Sequence, residues 1–323
     1  MTYLGDASLP RRIARSLAGL LRRALPAKAS TGRVCVIGHR GAARFAAENT
    51  LASFGKALEL GADGIETDVC VTRDGHFVLW HDAEPSGSVA LVRQLGAEGA
   101  FLYLPALPVL GSDLRRPVHE CDEAFFLEHY GYVLAKEGLT LVGSRKPDVP
   151  PARLDDLLEW APREGRLADV FLDLKLGPGR EADAERLLRL LTERARRPDH
   201  RPGLTYHMLT PQREIAAALA DAARRDPPPE TVVPTADFEL PGVVRYSRRY
   251  GLAHVSMGLG QRTWGDFRDE AGHVVRARRR RRVASVVAWT LNEEDRLRDL
   301  VALGVDGIIT DDPALLRRLL GDR

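Results

Sequence analysis

The sequence has few cysteines, no long apolar run and little excess charge, and each lack removes a class of protein. Its 323 residues include three cysteines, Cys35, Cys70 and Cys121, which cannot all pair within one chain. Two of them lie in apolar, strand-like runs, so all three read as reduced and mostly buried, as expected of a cytoplasmic protein. No Cys/His spacing favours a structural zinc site. No apolar stretch approaches the roughly 20 residues that a membrane helix needs. Lysine and arginine total 47 against 45 aspartate and glutamate, a formal net charge of +2. That near-balance gives no reason to expect a nucleic-acid partner.

What is present is globular. Hydrophobic residues make up 44% of the chain and charged residues 28%. The length suits one domain of about 250 residues with extras, or two ordinary domains. Residues 11–25, RRIARSLAGLLRRAL, place Ile13, Leu17, Leu20, Leu21 and Ala24 on one helical face, with Arg11, Arg15 and Arg22 opposite. This basic amphipathic pattern is a poor secretory signal, because arginines interrupt its apolar core. It reads as a surface helix; the alternative is a peripheral contact with the anionic inner face of a membrane.

From residue 33, short apolar runs alternate with helix-like segments. Strands are expected near 33–38, 64–70, 169–175, 203–208, 231–236, 252–258, 283–290 and 304–310, with helices such as 50–60, 153–160, 181–196 and 293–303 between them. Near-continuous apolar strands alternating with helices imply a parallel sheet covered on its faces. About eight such units predict an α/β fold of the TIM (β/α)8 type. Pro234 argues for a short or irregular strand at 231–236. Residues 83–150 break the rhythm and read as an insertion after the second strand and its hairpin, placed to wall a binding site. The expected organisation is a helical extension over 1–31 and a barrel over 32–323. The run Arg276–Arg282, RARRRRR, reads as a solvated loop before the strand at 283.

Reactive groups of such barrels gather where strands end. The first strand ends on His39 and Arg40, the second carries Glu66 and Asp68, the third Asp173 and Lys175, and the seventh ends on Trp289 with Asn292 beyond. Glu66 and Asp68 share one side of their strand by the period-two rule, as do Asp173 and Lys175. Pointing inward, three carboxylates would repel and lose hydration, which a hard cation such as Mg2+ or Ca2+ would relieve. Asp74-Gly75 is a hairpin signal that folds His81 back to the same rim. Two histidines, a cation, Arg40 and Lys175 suit displacement at phosphorus, with one histidine taking a proton and the other giving one. Singly, each motif has an ordinary structural explanation; the joint occurrence carries the weight.

At this point the chain resembles the glycerophosphodiester phosphodiesterase family. The likeness lies in GHRGAARFAAENTLASFGKALELGADGIETDVCVTRDGHFVLWHD at 38–82, FLDLK at 171–175 and VVAWTLNEEDRLRDLVALGVDGIITDDP at 286–313. It implies a TIM barrel with a divalent cation that hydrolyses glycerophosphodiesters to glycerol 3-phosphate and an alcohol. His39 and His81 match the acid–base pair, Arg40 and Lys175 the phosphate contacts, and Glu66 and Asp68 two metal ligands. Asp173 falls where the third carboxylate, commonly Glu, is expected. Glu48 and Asn49 belong to a Pro-Glu-Asn-Thr signature in which Ala47 replaces proline. After His81-Asp82 the Arg-Thr-rich pattern of many members is missing. Trp289 completes the candidate substrate-binding set. The expected substrate is a small phosphodiester. The alternatives are a lysophospholipid cut by a lysophospholipase D-like reaction, kept open by AFLYLPALPVL at 100–110, and a barrel that binds phosphodiesters without cutting.

Overall fold

The computed structural model describes residues 33–97, 101–135, 146–238, 242–260 and 262–321. The amphipathic segment 11–25 lies outside the described residues.

Twelve strands follow in chain order: β1 (Cys35–Gly38), β2 (Gly64–Val71), β3 (Phe77–Leu79), β4 (Tyr103–Ala106), β5 (Gly131–Leu134), β6 (Ala152–Arg153), β7 (Asp169–Leu174), β8 (Thr205–Thr210), β9 (Val232–Phe238), β10 (His254–Gly258), β11 (Ser285–Trp289) and β12 (Gly307–Thr310). Eight of them, β1, β2 and β7 to β12, pair in parallel, and the β1–β2 pairing closes the ring. Helices such as Leu51–Glu59, Glu181–Ala195, Arg213–Arg225, Trp264–Arg279 and Glu294–Leu303 follow these strands. This is the (β/α)8 barrel that the strand–helix alternation predicts, and all eight expected strands are found.

The barrel has two apolar compartments. Outside the strands, helices and sheet share the main core, with Phe54, Ile65, Leu172, Leu187 and Val286 among its buried members. Inside, Ile37, Phe171, Leu209, Val287 and Ile309 fill one level of the barrel. Period two puts the next inward residue of each strand one level nearer its C-terminal end. The polar side chains at that rim therefore rest on a dry floor.

Two local readings are corrected. Pro234 stands inside a seven-residue strand; β10 pairs with β9 only from Thr235 onward, so the missing N–H falls before that ladder begins. The Arg276–Arg282 run is not a loop throughout. Arg276, Arg278 and Arg279 form the basic last turn of helix Trp264–Arg279, where positive charge complements the helix dipole. The described residues of the insertion 83–150 hold helices Ser88–Gln94 and Glu123–His129 and the antiparallel β4–β5 pair.

The insertion has its own core. Trp80, at the end of β3, is 1% exposed and meets Phe126, Tyr130 and Tyr132 at ring-centroid distances of 5.7, 6.2 and 5.0 Å. Cys70, Leu107, Val118 and Cys121 belong to that cluster, and none of the three cysteines is in a disulfide. Trp80→Ala is expected to cost about 3–5 kcal/mol, the range for emptying a buried aromatic site. Urea denaturation measures it, and an unchanged midpoint would show that this second core contributes nothing. Among the described residues, no helix is long and apolar enough to cross a membrane.

Candidate active site

The loop after β1 starts the site. A Cβ on Gly41, whose φ is +85°, would lie 2.5–2.8 Å from Ser53, so only glycine lets the loop pack on helix Leu51–Glu59. Ser53 Oγ donates to the Arg40 carbonyl at 2.9 Å and accepts from the Ala42 N–H at 2.7 Å. Arg40 and Asn49 both hold positive φ, 49° and 56°, and the Asn49 N–H donates to the Arg40 carbonyl at 3.1 Å. Such conformations persist only where the surroundings over-determine them, and here they aim both side chains inward.

Two histidines occupy the rim, each tied by Nδ1 to an aspartate. His39 Nδ1 lies 2.7 Å from Asp311 Oδ1, and His81 Nδ1 lies 2.8 Å from Asp82 Oδ1. A carboxylate at Nδ1 assigns the proton there and leaves Nε2 as the working nitrogen. His39 Nε2 is 3.9 Å from Glu66 Oε2, so it faces the carboxylates. Asp311 is fixed in turn by Asn292, whose Nδ2 donates at 2.6 Å and whose Oδ1 accepts the Asp311 N–H at 2.9 Å. His81 arrives by the predicted hairpin: β3 runs antiparallel to β2, and the Trp80 N–H donates to the Asp68 carbonyl at 3.1 Å.

Surroundings push the two imidazoles apart. For His39, burial and Arg40 lower the pKa, but Asp311 and Glu66 outweigh them and it ends above the ordinary value. For His81, burial, Arg40 and Lys175 outweigh Asp68 and Asp82, and it ends below.

Glu66, Asp68 and Asp173 place one oxygen each within 4.8 Å of one another. Asp68 and Asp173 are register partners on neighbouring strands. Burial, then Asp68, pushes the Glu66 carboxyl up to about 8. Burial would do the same to Asp68, but Lys175 and Arg40 hold it well below the usual carboxylate range. Lys175 Nζ bridges Asp68 at 3.0 Å and Asp173 at 2.6 Å, and Asn49 Nδ2 donates to Asp68 at 2.9 Å. Asp173 Oδ1 is buried with no hydrogen-bond partner. An all-oxygen donor set with an orphaned carboxylate oxygen fits a hard divalent cation.

Arg40 is threaded through the same network. Its N–H donates to Glu66 at 2.9 Å, Nη1 donates to Glu48 at 3.0 Å, and Nε lies 3.0 Å from Asp68. Across the barrel, Trp289 Nε1 donates to Asp237 Oδ1 at 2.8 Å. A Cβ on Gly258, the register partner of Trp289, would meet that ring at 2.6–2.8 Å, so the glycine makes room for the indole. Beside Lys175 a cavity of about 260 Å³ lies between the insertion (Ala83, Glu84, Val118, His119) and Gly177–Arg180. A larger one, about 430 Å³, lies under the 74–77 turn against helix Glu181–Ala195 and holds no site residue.

The structure thus brings His39, Arg40, Glu66, Asp68, Asp173 and Lys175 into one contact network. His81 reaches it through the β2–β3 hairpin, and Trp289 stands at the same level of the barrel. Four contributors were not assigned from the sequence. Asp82 and Asp311 stand inside the motif blocks without a visible role. Asp237 is 3% exposed, raised to about 7 by burial and by Asp173, and sits on the strand that proline made hard to read. Arg93 comes from the insertion, where no motif marks it.

Comparison with known proteins falls on the same two stretches. The model of the "Glycerophosphoryl diester phosphodiesterase family" matches residues 39–96, and a second model of that description matches 285–314. The first carries His39, Glu66, Asp68 and His81, and the second Trp289 and Asp311. Over these two stretches the chain is similar to the glycerophosphoryl diester phosphodiesterase family.

Among similar proteins, the glycerophosphodiester phosphodiesterase of Caldanaerobacter subterraneus subsp. tengcongensis is 56% identical over 50 residues, 16% of this chain and 21% of its own. The protein named "probable glycerophosphodiester phosphodiesterase 1" of Mycobacterium tuberculosis strain H37Rv is 34% identical over 136 residues, 34% of this chain and 50% of its own. The matched parts therefore span between about a fifth and a half of these curated relatives. The fold likeness runs further. A phosphodiesterase of Oleispira antarctica, solved with the product sn-glycerol 3-phosphate, superposes with a TM-score of 0.60 at 18% identity, covering 89% of this chain and 96% of that one. The glycerophosphodiester phosphodiesterase of Agrobacterium tumefaciens C58 gives 0.58 at 20%, covering 88% and 100%.

Proposed function

We propose that the protein hydrolyses glycerophosphodiesters to glycerol 3-phosphate and an alcohol, using Mg2+ or Ca2+ held by Glu66, Asp68 and Asp173. One observation carries the reading: two histidines, each anchored through Nδ1 to a carboxylate, stand at the barrel rim that also holds the acidic cluster. The two family-model matches and the product complex of the Oleispira phosphodiesterase support it. When bound, the cation supplies positive charge for phosphoryl oxygens.

The residues of this chain do the rest. Arg40 and Lys175 face the negative charge of the diester. One histidine accepts a proton at Nε2 from the attacking hydroxyl or water. The other donates one from Nε2 to the departing alkoxide as the phosphorus–oxygen bond breaks. Asp311 and Asp82 keep both rings in the working tautomer. The indole of Trp289 offers an apolar wall to the glycerol carbons.

A second reading, cleavage of lysophospholipids, draws on the distribution of exposed apolar groups. Phe45 apart, the large exposed apolar side chains of the described residues fall between Val89 and Leu114, in the insertion. Val89, Val92 and Leu95 form an outward row on helix Ser88–Gln94 and its C-cap, 46–60% exposed. Release of glycerol 3-phosphate from glycerophosphocholine, compared with choline release from lysophosphatidylcholine vesicles, separates the two. Turnover of the first alone is the expected result; turnover of the second alone would replace it with the lipid reading, and neither would leave a binding barrel.

A further inference from the structure

Arg93 lies beyond the 38–82 motif block but within the family-model match at 39–96, on the inner side of helix Ser88–Gln94, and is 2% exposed. Its Nε donates to both oxygens of Asp82, at 3.1 Å each, and its Nη2 donates to Glu48 Oε1. Neither partner is an ordinary surface acid. Asp82 is the carboxylate on His81 Nδ1, and Glu48 is the carboxylate on Arg40 Nη1. One guanidinium therefore stands behind both a candidate acid–base group and a candidate phosphate ligand.

The fixed fork of arginine suits the task, since several N–H groups leave one planar cation in set directions. Without it, Asp82 would keep a single partner on one oxygen, and its carboxylate could rotate about that contact. Glu48 would keep Arg40 but lose its counter-charge on the other oxygen. Burial opposes the ionised form of both acids: Glu48 is held below the usual carboxylate range by Arg93 and then Arg40, and Asp82 by its hydrogen bond to His81 and then by Arg93.

We infer that Arg93 is a positioning residue for the reaction: the insertion, through this one side chain, sets the orientation of His81 by way of Asp82 and of Arg40 by way of Glu48. The inference rests on the hydrolase reading above. It makes residues 83–150 part of the catalytic apparatus as well as a wall beside it. It also accounts for a departure noted in the sequence, the lack of an Arg-Thr-rich stretch directly after His81-Asp82: a buried arginine reaches Asp82 from the helix that follows.

The test compares Arg93→Ala with Arg115→Ala in the full chain. Among the described residues of the insertion Arg115 is the other buried arginine, and it donates to the Pro85 and Pro108 carbonyls and to Gln94 Oε1, with no hydrogen bond to the site. It reports what loosening the insertion does by itself. Turnover of glycerophosphocholine by the unaltered protein comes first, because its absence would fail the hydrolase reading and not this one. Arg93→Ala is then expected to lower kcat by about a hundredfold, the scale for a small misplacement of reacting groups, with KM changed little. Millimolar guanidinium, far below denaturing levels, should restore part of that kcat, while equal sodium chloride should not. Arg115→Ala should lower the melting temperature, keep kcat within a few-fold and gain nothing from guanidinium. Equal losses in both variants with no guanidinium rescue would overturn the inference and reduce Arg93 to a staple of the insertion. Wild-type kcat in a folded Arg93→Ala protein would overturn it as well.

Discussion

His39→Ala and His81→Ala are each expected to lower turnover of glycerophosphocholine by about a hundredfold or more, the scale for losing a general acid or base. On the proposed reading, substrate binding rests on Arg40, Lys175 and the cation site, so KM should move far less than kcat. Stability should fall modestly. His39→Ala leaves Asp311 with Asn292 as partner, and His81→Ala leaves Asp82 with Arg93. Losing one hydrogen bond to a partly buried acid costs about 1–3 kcal/mol, which a melting curve detects without unfolding the domain.

The pair can then be split by leaving group. An aryl phosphodiester departs as a weak base and needs no proton. The alanine variant that lacks the general acid should regain most of its activity on that substrate, while the one lacking the base should not. Full activity of either variant on glycerophosphocholine would remove that histidine from the reaction.

Removal of the cation is expected to be as damaging. After chelation, activity should vanish and return with Mg2+ or with Ca2+, and the ion that restores it names the cofactor. Binding to the native state alone also raises the melting temperature by mass action. Wild-type protein should therefore gain thermal stability with added ion. Asp173→Asn should gain less and need more ion for half-maximal activity. Asp173 is the right position to alter, because its Oδ1 is buried without a protein partner while Oδ2 meets Lys175. If the variant and the wild type show the same ion titration, Asp173 is not a ligand.

Much of this was legible in the chain. The strand–helix rhythm gives the barrel because each apolar run is a buried strand whose neighbours are set by chain order. The Glu66-x-Asp68 spacing gives two inward carboxylates from the two-residue period alone, and Asp74-Gly75 turns the chain so that His81 comes back beside them. What could not be read depends on contacts that no local spacing encodes. Asp311 meets His39 only because β12 lies beside β1 when the ring closes, 272 positions apart in sequence. Asp237 was hidden by Pro234, which weakens a strand pattern without breaking the strand. Arg93 sits in a stretch whose period fits neither the barrel nor a motif, and its role comes from burial between two acids.

The place of that arginine bears on protein engineering. Surface segments of barrels are commonly treated as exchangeable cassettes for changing specificity. Here residues 83–150 are not such a cassette. A graft that brought in another loop without an inward arginine would leave Asp82 and Glu48, each 5% exposed, short of a buried counter-charge. Removing one partner of such a group costs about 3–5 kcal/mol. Recombination that respects the fold must move Glu48, Asp82 and Arg93 together, although they lie on three separate stretches of chain.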